Sequence, residues 1–476
     1  MKNKLINEQI KRQTKIVATI GPATHEVPML KRMIEAGINV ARLNMSHGDH
    51  KEHGERIKNI RKACSEMDTN LGILLDLSGP KIRTGEVEGE SINLVEGKKI
   101  ILTTKEVVSN GEVLTIHYKD LIKEARVGGF VMIDDGRRKL LVEKVEKDSL
   151  ICKIIIGGNI RGRRGVNFPG AYLSISSITE KDKEDLKFGI KNKVDYIALS
   201  FVRTGEDVRT LKSLFPKNFN PVIISKIETE EALEKIDEIL DESDGIMIAR
   251  GDLAIEIPKE RVPVIQKMLI NKAKDKRKLI ITATQMLESM INSPVPTRAE
   301  VSDIANAIFD GTDAVMLSEE SAKGDFPVEA VRIMVDVSEN TDPFVNNINK
   351  NKDGLSEKGI FKIYSSILSE KMDIKLIVSI TRFGATPKTI SSCKGTKPIV
   401  TLTYEKSVVN KLLAYRGIWP IYKEKGEKSS EDLRKTVKNI LTSKKLVKKG
   451  DEIIVVISGT KFEKGEENNS ILLETI

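Results

Sequence analysis

At 476 residues the chain is longer than one hydrophobic core holds, so two or three domains are expected. Charged residues make up 31% and hydrophobic residues 39%; no apolar run nears the ~20 residues that span a bilayer, and the opening MKNKLINEQIKR has no apolar core for a signal peptide. A net charge of +9 raises nucleic-acid binding, but aromatics are only 4% and basic residues are interleaved with acids, so small anionic substrates explain the charge more simply.

In chain order, short apolar runs rich in β-branched residues alternate with amphipathic spacers. The first runs are 15–20, 39–43 and 72–77. A gap too long for an ordinary loop follows, with alternating Val/Ile segments, Gly-rich turns and a hairpin signal at Asp134, Asp135 and Gly136. It reads as a small β-barrel lid domain over 80–176. The runs resume at 196–200, 221–227, 245–250, 279–284 and 313–318, with spacers such as 229–240 and 262–274 predicted as crossover helices. Eight strand–helix units are the count of a (β/α)8 TIM barrel, here in two parts over 1–79 and 177–342. Past a polar linker at 346–353, further runs at 375–380, 398–403, 419–422 and 452–458 predict an open-sheet α/β domain over 343–476. Cys64, Cys152 and Cys393 show no CxxC spacing, which suits a reducing cytoplasm and argues against a zinc site.

Reactive residues end most of the barrel runs, and in this fold strand ends share one active-site mouth. Lys226 and Glu228 are two apart, so on a strand they point the same way. The next run stops at Gly251 and Asp252. A lysine beside two carboxylates is equipment for Mg²⁺ against a phosphate, although a structural ion pair would use the same residues. Gly251 and Asp252 open a helical segment whose amides suit an anion, with Asp252 as a plain N-cap the bland alternative. Thr284 and Ser318 also stand at run ends, where such residues are most often caps or turn formers. Arg42 and Arg83 offer forks that suit phosphate.

Ten strings carry a resemblance: TKIVATIGPAT (14–24), NVARLNMSHG (39–48), LLDLSGPKIRTG (74–85), RRGVNFPG (163–170), IALSFVR (197–203), ISKIE (224–228), MIARGDLAIEIP (247–258), ITATQMLESM (281–290), TRAEVSDIANAIFDG (297–311) and MLSEESAKGDFP (316–327). In this order they resemble the pyruvate kinase family over essentially the whole chain. The resemblance implies phosphoryl transfer from phosphoenolpyruvate to ADP, giving pyruvate and ATP in glycolysis. It implies Mg²⁺ (or Mn²⁺) on Glu228 and Asp252, Lys226 on the transferring phosphoryl group and the enolate oxygen, and Arg42 on the phosphoryl group. Gly251, Asp252 and Thr284 would grip the substrate carboxylate, while Thr284 and Ser318 would order the water that protonates the enolate carbon. Asn44, His47, Arg83 and the 19–22 turn fall on the nucleotide side, and Asp135 and Arg164 would close over it from the lid. Family members usually carry lysine where Arg164 stands.

Asn44, Ser46, Asp76 and Leu77 match the K⁺-ligand positions of the family, but Lys81 stands where K⁺-dependent members have Glu. A tethered ammonium supplies the charge of K⁺ and repels a further cation, so the resemblance is to the K⁺-independent type. A phosphorylated effector at the 381–386 loop, with Phe383 where Ser is common, and a homotetramer are further expectations from the family. Two other readings start from the same residues. One is an Mg-dependent lyase or aldolase acting on pyruvate-like enolates, which has no use for a nucleotide lid. The other is a non-catalytic regulatory protein, which has no need of Lys226, Glu228, Asp252 and Thr284 together.

Overall fold

The computed structural model describes residues 10–345, 357–424, 429–461 and 467–476. Strands β1 (Lys15–Thr19), β2 (Val40–Asn44) and β3 (Gly72–Asp76) come first. An excursion follows through β4 (Ile92–Leu94), β5 (Lys99–Thr103), β6 (Val113–Thr115), β7 (Phe130–Ile133), β8 (Arg138–Val145), β9 (Ser149–Ile156), β10 (Gly158–Ile160) and β11 (Val166–Asn167). The chain returns with β12 (Tyr196–Leu199), β13 (Val222–Ile227), β14 (Gly245–Ala249), β15 (Leu279–Ala283) and β16 (Ala314–Leu317).

Parallel strands β1-β16-β15-β14-β13-β12-β3-β2 close into one barrel. Every residue of β1, β3, β12, β14, β15 and β16 is buried, because helices cover the outer face and side chains fill the inner one. β3 pairs directly with β12, Asp76 opposite Ala198, so the excursion does not interrupt the wall. Helix Val262–Asp275 forms as the spacing predicts, with Pro263 in its first turn. The spacer at 229–240 differs. It is two helices, Glu230–Glu234 and Ile236–Glu242, broken at Lys235 (ψ 13°), and the break lets Ala232, Ile236, Ile239 and Leu240 all reach the barrel core.

The excursion forms a six-stranded sheet, β11-β7-β8-β9-β5-β6, and a β10-β4 ribbon. Bridges from Arg83 to Gly165 and from Thr84 to Ile116 tie one segment to both ends of the sheet and curl it. Its core is its own, with Leu102, Leu114, Val131, Leu140 and Ile154 at its centre. The β7–β8 turn carries Asp134, Asp135 and Gly136 at φ 57°, 54° and 77°, the left-handed conformations that short Asp/Gly turns supply.

The C-terminal unit is a sheet of order β19-β18-β17-β20-β21, from β17 (Ile374–Thr381), β18 (Ile399–Thr403), β19 (Ile418–Tyr422), β20 (Glu452–Lys461) and β21 (Glu467–Thr475). The antiparallel edge strand β21 was not expected; its polar opening, ENNS, hides the pattern. The polar linker expected at 346–353 lies outside the described residues. Beneath the barrel the cores merge, with Val17, Leu74, Tyr196 and Met247 joining Ile377, Leu412, Tyr415 and Ile454. Buried ion pairs Lys394–Asp313 (2.6 Å) and Arg416–Asp342 (2.5 Å) pin the junction. The amino end of the barrel is therefore sealed, and its carboxyl end opens under the curled sheet.

Candidate active site

The tips of β2, β3, β12 and β13 meet at that open end. Lys226, on β13, directs its ammonium to Ser200 Oγ (2.7 Å), Glu228 Oε1 (2.9 Å) and Asp76 Oδ1 (3.3 Å). Burial works against its charge, but Asp76 and Glu228 outweigh burial and raise its pKa, so Lys226 is a permanent cation. Asp76 is 1% exposed, and its Oδ2 accepts Arg42 Nε (2.7 Å) and Nη2 (2.6 Å). Burial pushes the Asp76 carboxyl up; Lys226 and Arg42 overcome it and hold its pKa below the usual range. Arg42 Nη1 donates to Thr19 Oγ1 (2.8 Å), fixing the guanidinium across the barrel mouth.

Glu228 is equally buried, and its Oε2 accepts the Phe201 N–H at 2.7 Å. Asp252 faces the same space. Its pKa is raised well above the usual carboxylate range by burial first and by the Glu228 charge second, with Lys226 and Lys81 pulling the other way. Two carboxylates in one desolvated space are what a divalent cation relieves, so the pair fits Mg²⁺, which prefers one or two carboxylates and completes its shell with substrate oxygens. Among the described residues no cluster of three or more His, Cys, Asp or Glu offers a metal site.

Asp252 is not an N-cap. The helix Arg250–Glu256 is capped at Ala249 without a side-chain bond, and Asp252 lies inside its first turn, which frees the carboxylate for the cleft. The Gly251 N–H donates to Thr284 Oγ1 (2.8 Å), so the two groups predicted to grip a carboxylate are neighbours. Thr284 and Gln285 sit at φ 67° and 53°, and the buried Arg250 caps both carbonyls (2.9 and 3.2 Å) while pairing with Asp303 (2.7 Å). Ser318 follows β16, and its N–H is held by Glu320 (2.7 Å).

On the other rim, Asn44 Oδ1 accepts the Ser46 N–H (3.0 Å), and the His47 carbonyl accepts His53 Nε2 (2.8 Å). The His47 pKa is lowered by burial and by Lys81. Lys81 stands at the rim with its own pKa lowered, by desolvation first and then by Lys226 and Arg83. Between lid and barrel runs a cleft of about 230 Å³, lined by Lys81, Arg83, Asp135, Phe201 and Asp252 among others. Asn167 of β11 donates to Glu256 (3.1 Å) across it. Arg164 turns back within the lid toward Asp134 (3.5 Å), and Arg83 Nη1 donates to the Arg163 carbonyl (2.9 Å).

Sequence reasoning missed Ser200, Phe201 and Arg250, and gave Asp76 only a monovalent-cation role. Ser200 carried the same signal as Thr284 and Ser318, a hydroxyl residue at the end of an apolar run. The backbone of Phe201 and the reach of Arg250 left no such mark.

Fixed cations gathered around two carboxylates at a barrel mouth suit the in-line movement of a metal-bound phosphoryl group, and the class they define is a barrel phosphotransferase with a β lid. Residues 11–331 match the family description "Pyruvate kinase, barrel domain" and residues 364–473 match "Pyruvate kinase, alpha/beta domain". A pyruvate kinase of Bacillus licheniformis is 42% identical over 467 residues, covering 96% of this chain and 79% of that protein. One from Thermotoga maritima is 40% identical, covering 97% and 99%. A crystal structure of a pyruvate kinase from Cryptosporidium parvum superposes with a TM-score of 0.93 at 35% identity, covering 98% and 97%. The chain belongs to the pyruvate kinase family.

Proposed function

We propose that this chain transfers the phosphoryl group of phosphoenolpyruvate to ADP, giving pyruvate and ATP, through the residues at the β2, β3, β13, β14 and β15 tips. The observation that carries this reading is Lys226, a largely enclosed ammonium held between Asp76 and Glu228 at the barrel mouth. Mg²⁺ or Mn²⁺ bound by Glu228 and Asp252 would supply charge neutralisation for the phosphoryl oxygens. Lys226 then faces the bridging oxygen and stabilises the enolate as the P–O bond breaks. Arg42, already oriented by Asp76 and Thr19, turns its fork to the phosphoryl group. The Gly251 amide gives up Thr284 Oγ1, and the Thr284 hydroxyl gives up the Ala283 carbonyl to which it donates (2.6 Å), for the substrate carboxylate, and Thr284 with Ser318 orders the water that protonates the enolate carbon. Asn44, His47 and Arg83 bind nucleotide phosphates from the barrel side. Asp135 and Arg164 meet the nucleotide when the lid, residues 80–176, closes. Family membership leaves the lyase and regulatory readings without support.

K⁺ is not required in this reading. Lys81 brings a tethered charge to the cation region, and three of the four matching positions have their oxygens engaged within the chain: Asn44 Oδ1 with the Ser46 N–H, Asp76 with Arg42 and Lys226, and the Leu77 carbonyl with Ser200. An exposed apolar stripe on the helix Glu357–Lys371 and its end (Phe361, Tyr364, Leu368, Met372) supports assembly into a homotetramer. The exposed Arg382 of the 381–386 loop supports a phosphorylated effector there. Three free cysteines fit a cytoplasmic setting.

Pyruvate formation from phosphoenolpyruvate and ADP with Mg²⁺, measured without and with added K⁺, tests the whole reading. Activity in both buffers is expected. Activity only with K⁺ would discard the role of Lys81 and keep the enzyme, whereas a Lys226→Met variant with unchanged turnover would discard the assignment of Lys226.

A further inference from the structure

One strand tip holds two functional groups of its neighbour. Leu199, the last residue of β12, lies opposite Ser225 of β13, so the next two residues, Ser200 and Phe201, run alongside Lys226 and Ile227, with Glu228 just beyond. The Ser200 hydroxyl donates to the Leu77 carbonyl (2.7 Å) and accepts from Lys226 Nζ (2.7 Å). A hydroxyl has one proton; committed to Leu77, it leaves only lone pairs for the ammonium. Ser200 is 2% exposed, so bulk water does not compete for those positions. The other two partners of Lys226 are carboxylates that also answer to cations, Asp76 to Arg42 and Glu228 to the divalent metal it would hold. Ser200 is the neutral partner, whose hold on the ammonium does not change as charged ligands come and go.

Phe201 completes the arrangement. Its φ of 52° is rare for an aromatic residue, and in this conformation its N–H reaches Glu228 Oε2 at 2.7 Å. Strain of this kind persists only where the surroundings over-determine it. Here Gly79, at φ 64°, packs directly over the tip: a Cβ at this position would lie 2.9 Å from the Phe201 ring and 3.0 Å from Ser200 Cβ. The loop after β3 therefore closes on the β12 tip only because position 79 has no side chain.

We propose that the Ser200–Phe201 tip is a positioning element for phosphoryl transfer: the Ser200 hydroxyl fixes the Lys226 ammonium, the Phe201 amide fixes the Glu228 carboxylate, and Gly79 lets the tip take that form. The proposal rests on the roles given to Lys226 and Glu228 above.

The test uses Ser200→Ala, Ser200→Thr, Lys226→Met and the Ser200→Ala/Lys226→Met pair in the full-length enzyme. Ser200→Ala is expected to lower kcat by about 10–100-fold, the usual cost of losing an outer positioning partner, with KM for ADP unchanged. Ser200→Thr keeps the hydroxyl and recovers most of the loss. In the Lys226→Met background, Ser200→Ala should cost nothing further, since a positioning residue has nothing left to position. A kcat for Ser200→Ala within about twofold of wild type, or effects that multiply in the pair, overturns the Ser200 half. Full turnover by Lys226→Met would instead sink the underlying reading, a different outcome. For the Phe201 half, Mn²⁺ titrated onto the protein by calorimetry should bind Gly79→Ala about 10–100-fold more weakly and bind Phe201→Gly, which keeps the amide and accepts positive φ, much as wild type. Unchanged Mn²⁺ affinity in Gly79→Ala, or lost affinity in Phe201→Gly, overturns it; if Gly79→Ala does not fold, Phe201→Gly decides.

Discussion

Replacing Asp76 with Asn is the sharpest test of how the site is held together. Oδ2 serves the guanidinium of Arg42 at 2.6 and 2.7 Å, while Oδ1 serves the ammonium of Lys226 at 3.3 Å. An amide has one acceptor and one donor end, so in either orientation its NH₂ points at a buried cation. The substitution also removes the negative charge that holds Arg42 and Lys226 a few ångströms apart. Breaking a buried pair this way costs about 3–5 kcal/mol, because the surviving charges remain buried. For a barrel of this size that is a fall in unfolding midpoint on the order of 10 °C. Misplacing the ammonium and the arginine fork should lower kcat by about 10²–10³-fold, or ~3–4 kcal/mol of transition-state stabilisation. Scanning calorimetry reads the first quantity, and steady-state pyruvate formation at saturating phosphoenolpyruvate and ADP reads the second. An Asp76→Asn enzyme with kcat within about threefold of wild type and a midpoint within ~2 °C would refute the anchoring role.

Two further perturbations probe the floor and the nucleotide side. Asp195, beneath the barrel, accepts from the Ile73 N–H (2.9 Å) and Asn410 Nδ2 (3.3 Å), and burial pushes its pKa up to about 6. The folded state thus holds this proton more tightly than the unfolded chain, so its contribution to stability is present at low pH and is lost as pH rises from 3.8 to about 6, a change of ~3 kcal/mol. Asp195→Asn removes that loss, and its midpoint relative to wild type should climb between pH 4 and 7; a pH-independent difference would show that Asp195 does not titrate there. Gly21→Ala places a Cβ 2.5 Å from the Ala322 carbonyl oxygen, so it should cost about 1–3 kcal/mol and raise KM for ADP more than KM for phosphoenolpyruvate. Equal shifts in both KM values would detach the 19–22 turn from the nucleotide.

The roles of Asp76, Ser200 and Phe201 show where legibility ended. Lys226 and Glu228 could be read because each is a polar residue at the end of an apolar run, and such residues in a barrel wall face the shared mouth; Thr284 stood out from an ordinary cap or turn former only through the family resemblance. Asp76 was seen at its strand end too, but its partners come from β2 and β13, and which tips adjoin was not written in spacing. The Phe201 amide has no side-chain signature at all, since its bond to Glu228 depends on a positive φ that spacing does not report. The broken helix at Lys235 and the edge strand Glu467–Thr475 escaped for a similar reason: pattern reports which residues want burial, not how neighbouring elements accommodate them.

By itself, the sequence determined the eight buried strands, the β excursion between the third and the fourth, and the polar residues at the strand ends. Burial on both faces imposes unbroken β-branched runs, and a shared mouth concentrates reactive groups where those runs stop. Tertiary structure alone decided that Asp76, Ser200 and Lys226, from the tips of β3, β12 and β13, come within hydrogen-bonding reach of one another. It also decided that the Asp252 carboxyl, crowded by burial and Glu228, rises out of its usual range while Asp76, clasped by two cations, falls below it. Charge acts through space, and the distances that set its sign and strength exist only once the barrel has closed.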